Sequence, residues 1–362
     1  MTNLWPILGL AGVATTLISL LLTPLIRQLA WRYQIVDQPL ARRVNTEPIP
    51  RLGGVAVVVS FWLLILALSL LMPEWLNFTT ERRFGFDANL FGLALGTLVI
   101  VTTGVLDDLY SLKPWQKLLA QFIAAAILPL CGVRIGWLAH PLGGPDIQLM
   151  PWLDAGLIIA WLVLLINVTN WLDGLDGLVT GIGIIALACL GILASGEAVG
   201  QLLTTSLLAW GLAASLLGFL PWNLYPAKIF LGDTGSMFIG YLIGALAIFT
   251  GGKLATASLI MAIPILDALF VIVRRLIEKR SPWLGDRGHL HHRLYDLGLT
   301  QRQTVSLYWL IALLLGIAAL ANRTLGKTQL LLATVLLFSM LWLGLRLTEI
   351  RRSKLLAELQ LD

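Results

Sequence analysis

Eleven long apolar runs dominate this chain and restrict its fold more than any other feature. They cover about residues 4–26, 53–72, 88–106, 116–133, 152–168, 178–195, 201–220, 235–252, 254–273, 305–321 and 328–345. A helix needs roughly 20 apolar residues to cross a bilayer, with a range of about 17–25, and every run falls inside it. Composition closes the alternatives. Of 362 residues 58% are hydrophobic and 12% charged, with a mean hydropathy of +0.85. A soluble domain carries about 25% charge, so neither a water-exposed globule nor a disordered chain fits. The expected fold is an all-α polytopic membrane protein of about 11 transmembrane helices, one integral-membrane domain over 1–362. The first run has no basic n-region and no small-residue cleavage site before Pro24, so it reads as a retained span. Cys131 and Cys189 lie in apolar runs, with neither metal spacing nor a disulfide framework.

The basic residues orient this arrangement. When loops are assigned to alternate sides, 19 of the 25 Lys and Arg fall on one side and 6 on the other. Basic residues concentrate on cytoplasmic loops, which predicts an outside N-terminus and a cytoplasmic C-terminus. The cytoplasmic loops are then 27–52, 107–117, 167–177, 221–236 and 274–304, and the unusual polar residues sit there.

Asp107 and Asp108 are adjacent at a membrane boundary, where carboxylates repel unless a cation or protons intervene; a plain polar span end is the simpler reading. Lys117 follows at the start of span four. Asn167, Asn170, Asp173 and Asp176 recur every three positions. Neighbouring members share a face of an α-helical turn, and a 3₁₀ turn would align the whole set. This loop holds no Lys or Arg, so a metal, a ligand donor or a distant basic loop must answer its charge. Phe230 precedes Gly232-Asp233-Thr234-Gly235-Ser236, a turn that opens a helix and offers N–H groups and a hydroxyl to an anion. A divalent cation would reconcile Asp233 with that anion; Phe230 alone also reads as an interface aromatic. Asp267 lies within span nine, after Pro264, and an ionisable group there is a functional candidate. Arg274, about 10 Å further along a helix, is its simplest partner. Finally, His289, His291 and His292 cluster with Arg287 and Arg293, as for phosphate binding or proton transfer. Convergence on one face points to a single composite site suited to phosphate–metal chemistry.

Assembled, these blocks resemble the polyprenyl-phosphate N-acetylhexosamine-1-phosphate transferases. The likeness spans nearly the whole chain: Val36 to Pro39, Pro48-Ile-Pro-Arg51-Leu-Gly-Gly54, Asp107-Asp108, Asn170 to Gly177, Pro226 to Ser236, and His289-Leu-His291-His292-Arg293. It implies attack by a lipid phosphate on the β-phosphorus of a UDP-N-acetylhexosamine, with UMP leaving and Mg²⁺ (or Mn²⁺ in its place) assisting. The string at Pro48, Asp267 with Arg274-Arg275, and the His block resemble the N-acetylglucosamine-1-phosphate branch, which starts O-antigen, teichoic acid or other surface glycans. The phospho-muramoyl-pentapeptide branch, with a Pro-Leu-His-His-His form, is the alternative. Asn45 stands where the family often has His and is given no role. The resemblance implies Asp233, then Asn170, for the metal. Asp173, Asp176, Phe230 and Ser236 go to the nucleotide sugar. Asp107 and Asp108 deprotonate or position the lipid phosphate or share the metal, with Lys117 as a lipid-phosphate contact. His291 and His292 hold the diphosphate, aided by Arg287 or Arg293; Asp267 is supportive, and His289 has no counterpart in the sister form. The expected setting is the bacterial inner membrane with the site facing the cytosol. The partners are the UDP-sugar, undecaprenyl or another polyprenyl phosphate and the bilayer, with a homodimer allowed and no nucleic acid.

Two rivals fit less well. A CDP-alcohol phosphatidyltransferase also begins Asp-x-x-Asp-Gly, but needs Ala-Arg where Leu178-Val179-Thr180 follows. A secondary transporter explains Asp267 but not carboxylates and His gathered on one face, because transporter sites lie near the midplane.

Overall fold

The computed structural model describes residues 4–38, 47–79, 81–140, 144–195, 201–251, 254–279, 289–322 and 324–359. Its helices are α1 (Leu4–Arg32), α2 (Gly53–Leu71), α3 (Ala88–Tyr110), α4 (Pro114–Leu130), α5 (Pro151–Leu172), α6 (Leu178–Ser195) and α7 (Gln201–Asn223). They continue as α8 (Gly232–Phe249), α9 (Leu254–Ile260), α10 (Ala262–Ile277), α11 (Leu290–Asp296), α12 (Gln301–Ala321) and α13 (Thr324–Leu359). Three antiparallel two-residue ladders sit in the connections: β1 (Val36–Asp37) with β2 (Ile49–Pro50), β3 (Arg82–Arg83) with β4 (Phe86–Asp87), and β5 (Trp137–Leu138) with β6 (Ile147–Gln148).

Among the described residues nine helices are long and apolar enough to cross a membrane, and the α9–α10 pair makes a tenth if taken as one span. The chain is a multi-span, mainly helical membrane protein. Each of the eleven apolar runs coincides with a helix, except that 254–273 is split: α9 and α10 meet at Met261 with a bend of 76°. Pro264 explains where the break falls. Proline lacks an N–H and is tolerated in the first turn of a helix but not in its interior, so α10 starts anew just before it. The α4 helix, 17 residues long, is the shortest of the remaining apolar helices.

The α8 helix is the hub, packed against α2, α3 and α5. Of its apolar stretch 89% is buried within the protein, against 17% for α1 and for α13, which form the periphery. A helix apolar all round belongs in an interior, and α8 is apolar or small on every face beyond its first turn. Small residues let helices in lipid approach closely. At Gly104 of α3, any side chain would collide with the backbone of Thr234 at the start of α8. Deeper in the bundle, Asn167 of α5 donates to Gln121 of α4 at 2.6 Å, and Gln121 is 1% exposed. The helices therefore meet in one register, and α8 begins where α3 ends.

Candidate active site

The site forms where the C-terminal ends of α3 and α5 meet the N-terminal ends of α4 and α8. Asp107 and Asp108 lie within the last turns of α3, which runs to Tyr110, and not on a loop. Successive residues on an α-helix point about 100° apart, and the two carboxylates accordingly do different things. Asp108, 7% exposed, faces α8. Its Oδ1 accepts from the Asp233 amide at 3.0 Å; its Oδ2 accepts from the Thr234 amide at 3.1 Å and the Thr234 hydroxyl at 2.7 Å. The first amides of a helix have no partner within it, and α8 receives its cap from another helix. Gly232 makes this fit. Its φ is +75°, and a Cβ there would lie 2.6 Å from Asp108 Oδ2. The expectation that this turn offers its amides to a substrate anion is corrected for Asp233 and Thr234: the anion they hold is Asp108.

Asp107 faces α4. Its Oδ1 accepts from the Leu112 amide at 2.8 Å, and its Oδ2 from Lys117 Nζ at 3.2 Å. The same ammonium donates to Asp233 Oδ2 at 2.5 Å. One lysine thus bridges a carboxylate on α3 and one on α8. Sequence reasoning assigned Lys117 to lipid phosphate; the structure places it between the two acidic groups.

Asn170 stands on the last turn of α5, which stays α-helical to Leu172. Its amide donates to Ser236 Oγ at 3.0 Å, and Ser236 Oγ donates to the Gly232 carbonyl at 3.0 Å. Ser236 is fully buried and its hydroxyl is committed, so it braces Asn170 and does not line an opening. The Asn170 side chain also reaches Asp233, which brings the two residues expected at a metal together. Among the described residues no three His, Cys, Asp or Glu side chains form a ready-made cage. Mg²⁺ does not need one; it is usually held by one or two carboxylates, substrate phosphates and water. The hard oxygen donors of Asp233 and Asn170 fit it.

Asp173 and Asp176 follow α5. Burial pushes the Asp173 carboxyl well above the usual carboxylate range; the negative charges of Asp233, Asp108 and Asp176 add to this, and Arg51 opposes it. Asp176 is also raised, by burial, against the Ala227 amide that donates to its Oδ2 at 2.9 Å and the side chain of Gln301. Beside it opens a cleft of about 930 Å³ whose walls include Arg27, Pro50, Tyr225, Lys228 and Arg302.

The Pro48–Gly54 string, recognised in the sequence but given no task, organises this edge. The Phe230 amide donates to Pro50 O at 2.8 Å, and the amides of Gly53 and Gly54 donate to the carbonyls of Phe230 and Leu231 at 2.9 and 2.7 Å. Arg51 pairs with Asp37 across the β1–β2 ladder. The string thus fixes the backbone of half-buried Phe230, and through it the approach to Asp233.

Asp267 sits on α10, 2% exposed. Its carboxylate is taken up by α11: Oδ1 accepts from the Leu290 amide at 2.7 Å, and Oδ2 lies 2.9 Å from His289 Nδ1. The expected partner was Arg274; the observed grip is on the segment that starts the His block. Arg293 is buried, with its guanidinium over the Trp342 ring at 5.2 Å. The side chains of His291 and His292, Arg287 as a whole, and Asn45 lie outside the described residues.

Known proteins resemble this chain over most of its length. Residues 90–251, from α3 to the end of α8, match the model of glycosyl transferase family 4. A probable undecaprenyl-phosphate N-acetylglucosaminyl 1-phosphate transferase of Bacillus subtilis is 32% identical over 87% of this chain and 84% of its own. A decaprenyl-phosphate N-acetylglucosaminephosphotransferase of Mycolicibacterium smegmatis is 32% identical over 84% of this chain and 79% of its own. A phospho-N-acetylmuramoyl-pentapeptide-transferase of Shouchella clausii is 29% identical over 86% and 94%. The capped α8 turn, the acidic ends of α3 and α5 and these likenesses lead to one assignment: the chain belongs to glycosyl transferase family 4, in its polyprenyl-phosphate N-acetylglucosamine-1-phosphate transferase branch.

Proposed function

We propose that the protein transfers N-acetylglucosamine-1-phosphate from UDP-N-acetylglucosamine to undecaprenyl or another polyprenyl phosphate. The observation that carries this reading is Lys117 set between Asp107 and Asp233, at the end of the bundle where α3, α4, α5 and α8 meet. A lipid-borne phosphate arrives from the membrane boundary and a nucleotide sugar from the water. A lipid phosphate oxygen bonds to the β-phosphorus of the donor, the bond from that phosphorus to the oxygen bridging to the α-phosphorus breaks, and UMP carries that oxygen away. Little covalent work falls to the protein in such a transfer; it positions the partners and meets their charge.

Asp233 and Asn170 would hold Mg²⁺, whose charge neutralises the diphosphate. Lys117 meets the incoming lipid phosphate, and Asp107 positions it or takes its proton. Asp173, Asp176 and Phe230 address the uridine, with the cleft beside Asp176 giving room for it. His291 and His292 would hold the diphosphate, whereas Arg293, buried against Trp342, is not assigned to it. The 19-to-6 bias of basic residues supports an outside N-terminus, eleven spans with α9–α10 as a broken one, and a cytosolic site in a bacterial inner membrane. Purified protein in detergent, given undecaprenyl phosphate and Mg²⁺, should release UMP from UDP-N-acetylglucosamine and leave UDP-N-acetylmuramoyl-pentapeptide intact. Turnover of the pentapeptide donor alone would transfer the protein to the sister branch, and no turnover of any UDP-sugar would end the reading.

A further inference from the structure

The α11 helix has seven residues. Isolated helices shorter than about 12–15 residues are marginal in water, so its position must come from elsewhere. It starts immediately after His289, whose backbone is extended, and carries His291, His292 and Arg293. The Asp267 carboxylate holds that start at two points: the Leu290 amide at 2.7 Å and His289 Nδ1 at 2.9 Å. One contact would fix a distance; two, to the backbone and to a ring, also fix how the helix is turned about its axis. Asp267 is nearly inaccessible, on α10 directly after the 76° bend. The bend permits the contact, because it redirects the chain at Met261 and sets a new helix start five residues before Asp267.

We infer that Asp267 and His289 are a positioning pair, which sets α11 so that the residues after it meet the donor's diphosphate. His289 is then the handle of the helix and not a ligand of substrate or metal. Burying a carboxylate is costly unless it is paired and hydrogen-bonded, so an interior aspartate on a membrane helix marks a demanding structural task. This inference rests on the proposed transfer reaction for its kinetic arm and is independent of it in its structural arm.

Asp267→Asn and His289→Gln keep approximate size and polarity but remove the carboxylate in one case and the ring nitrogen that meets it in the other. Each should slow single-turnover UMP release by about 10- to 100-fold, the scale for a misplacement of about 1 Å. The KM for UDP-N-acetylglucosamine and the single-turnover amplitude, which counts competent molecules, should hold. A merely structural role would lower the amplitude and leave the rate. The double variant should be no slower than the slower single one, as for two residues acting as one unit. A rise in KM on His289→Gln with wild-type behaviour of Asp267→Asn would make His289 a substrate ligand and overturn the inference. Hydrogen exchange of the α11 amides decides the structural arm without turnover. Both variants should exchange faster over Leu290–Asp296, and unchanged exchange would overturn the pair even if the wild-type protein transferred nothing.

Discussion

Asp108 tests whether the two adjacent aspartates have been separated correctly. Replacing it with Ala removes the acceptor for two backbone amides and one hydroxyl at the start of α8. Hydrogen bonds to charged groups are worth about 1.5–3 kcal/mol each, and losing a helix N-cap costs about 0.5–2 kcal/mol. These terms overlap, so a total of about 2–4 kcal/mol is the reasonable scale for the brace as a whole. Part should appear as global destabilisation, because α8 is the hub of the bundle. The rest appears as movement of Asp233, whose own amide is one of the three donors; a shift of about 1 Å costs about 10²-fold in rate. Asp108→Ala should therefore lower both the thermal unfolding midpoint in detergent and UMP release. Asp108→Asn keeps one acceptor oxygen and turns an N–H toward the amides, so it should fall between the two. Asp107→Ala, which frees the Leu112 amide and one contact of Lys117, should abolish turnover with little change in the midpoint. If Asp108→Ala unfolded at the wild-type temperature while losing all activity, Asp108 would be a chemical residue and the capping argument would be refuted.

Two further outcomes follow from the same geometry. Because the folded-state pKa of Asp173 is raised, its contribution to stability is fully present below the unfolded value near 3.9 and is lost as pH rises through the folded value. Asp173→Asn should unfold at a higher temperature than wild type near neutral pH, equally at acid pH, and transfer less sugar phosphate; a pH-independent difference in midpoint would contradict this. Added Mg²⁺ should raise the unfolding midpoint of the wild-type protein, since a ligand of the folded state stabilises it by mass action. Asp233→Asn should blunt that rise and most of the turnover, and full activity in EDTA would exclude the metal role.

What could be read from the sequence divides along physical lines. Lipid forbids unpaired charge, so Asp107, Asp108, Asp173, Asp176 and Asp233 stood out against their apolar surroundings, and their location at span ends was legible. Their individual tasks were not. Asp107 and Asp108 are chemically identical neighbours, and only the azimuth of α3 relative to α4 and α8 sends one to Lys117 and the other to the Thr234 turn. Ser236 reads as a ligand from sequence because its hydroxyl sits in a turn suited to an anion; packing of α5 on α8 buries it under Asn170 instead. The bend at Met261 left little mark in hydropathy, because both arms are apolar, although Pro264 was a visible hint. The Asp267–His289 contact spans 22 residues and an intervening segment, so local pattern could not reveal it, whereas the pairing with Arg274 was the nearest guess along one helix.

The charges at the site also divide, and the division bears on mechanism. Asp108 is answered by the amides of α8, where the helix dipole favours a negative charge, and that arrangement needs no further cation. Asp107 and Asp233 share the ammonium of Lys117 as a common donor. Nearby, Asp173 feels the charges of Asp233, Asp108 and Asp176, opposed by Arg51. Ionised carboxylates gathered in this way would favour a cation over a phosphate, yet the proposed substrates are both phosphates. The two facts are compatible if Lys117 exchanges partners. Held by Asp233, the ammonium has little attraction left for an anion. A divalent cation held by Asp233 and Asn170 would supply the charge that Asp233 now draws from Lys117, and the ammonium, tethered by Asp107, would then be available to the lipid phosphate. On the proposed reading, metal and donor would bind before the lipid phosphate, because Lys117 is held by Asp233 until another cation takes its place.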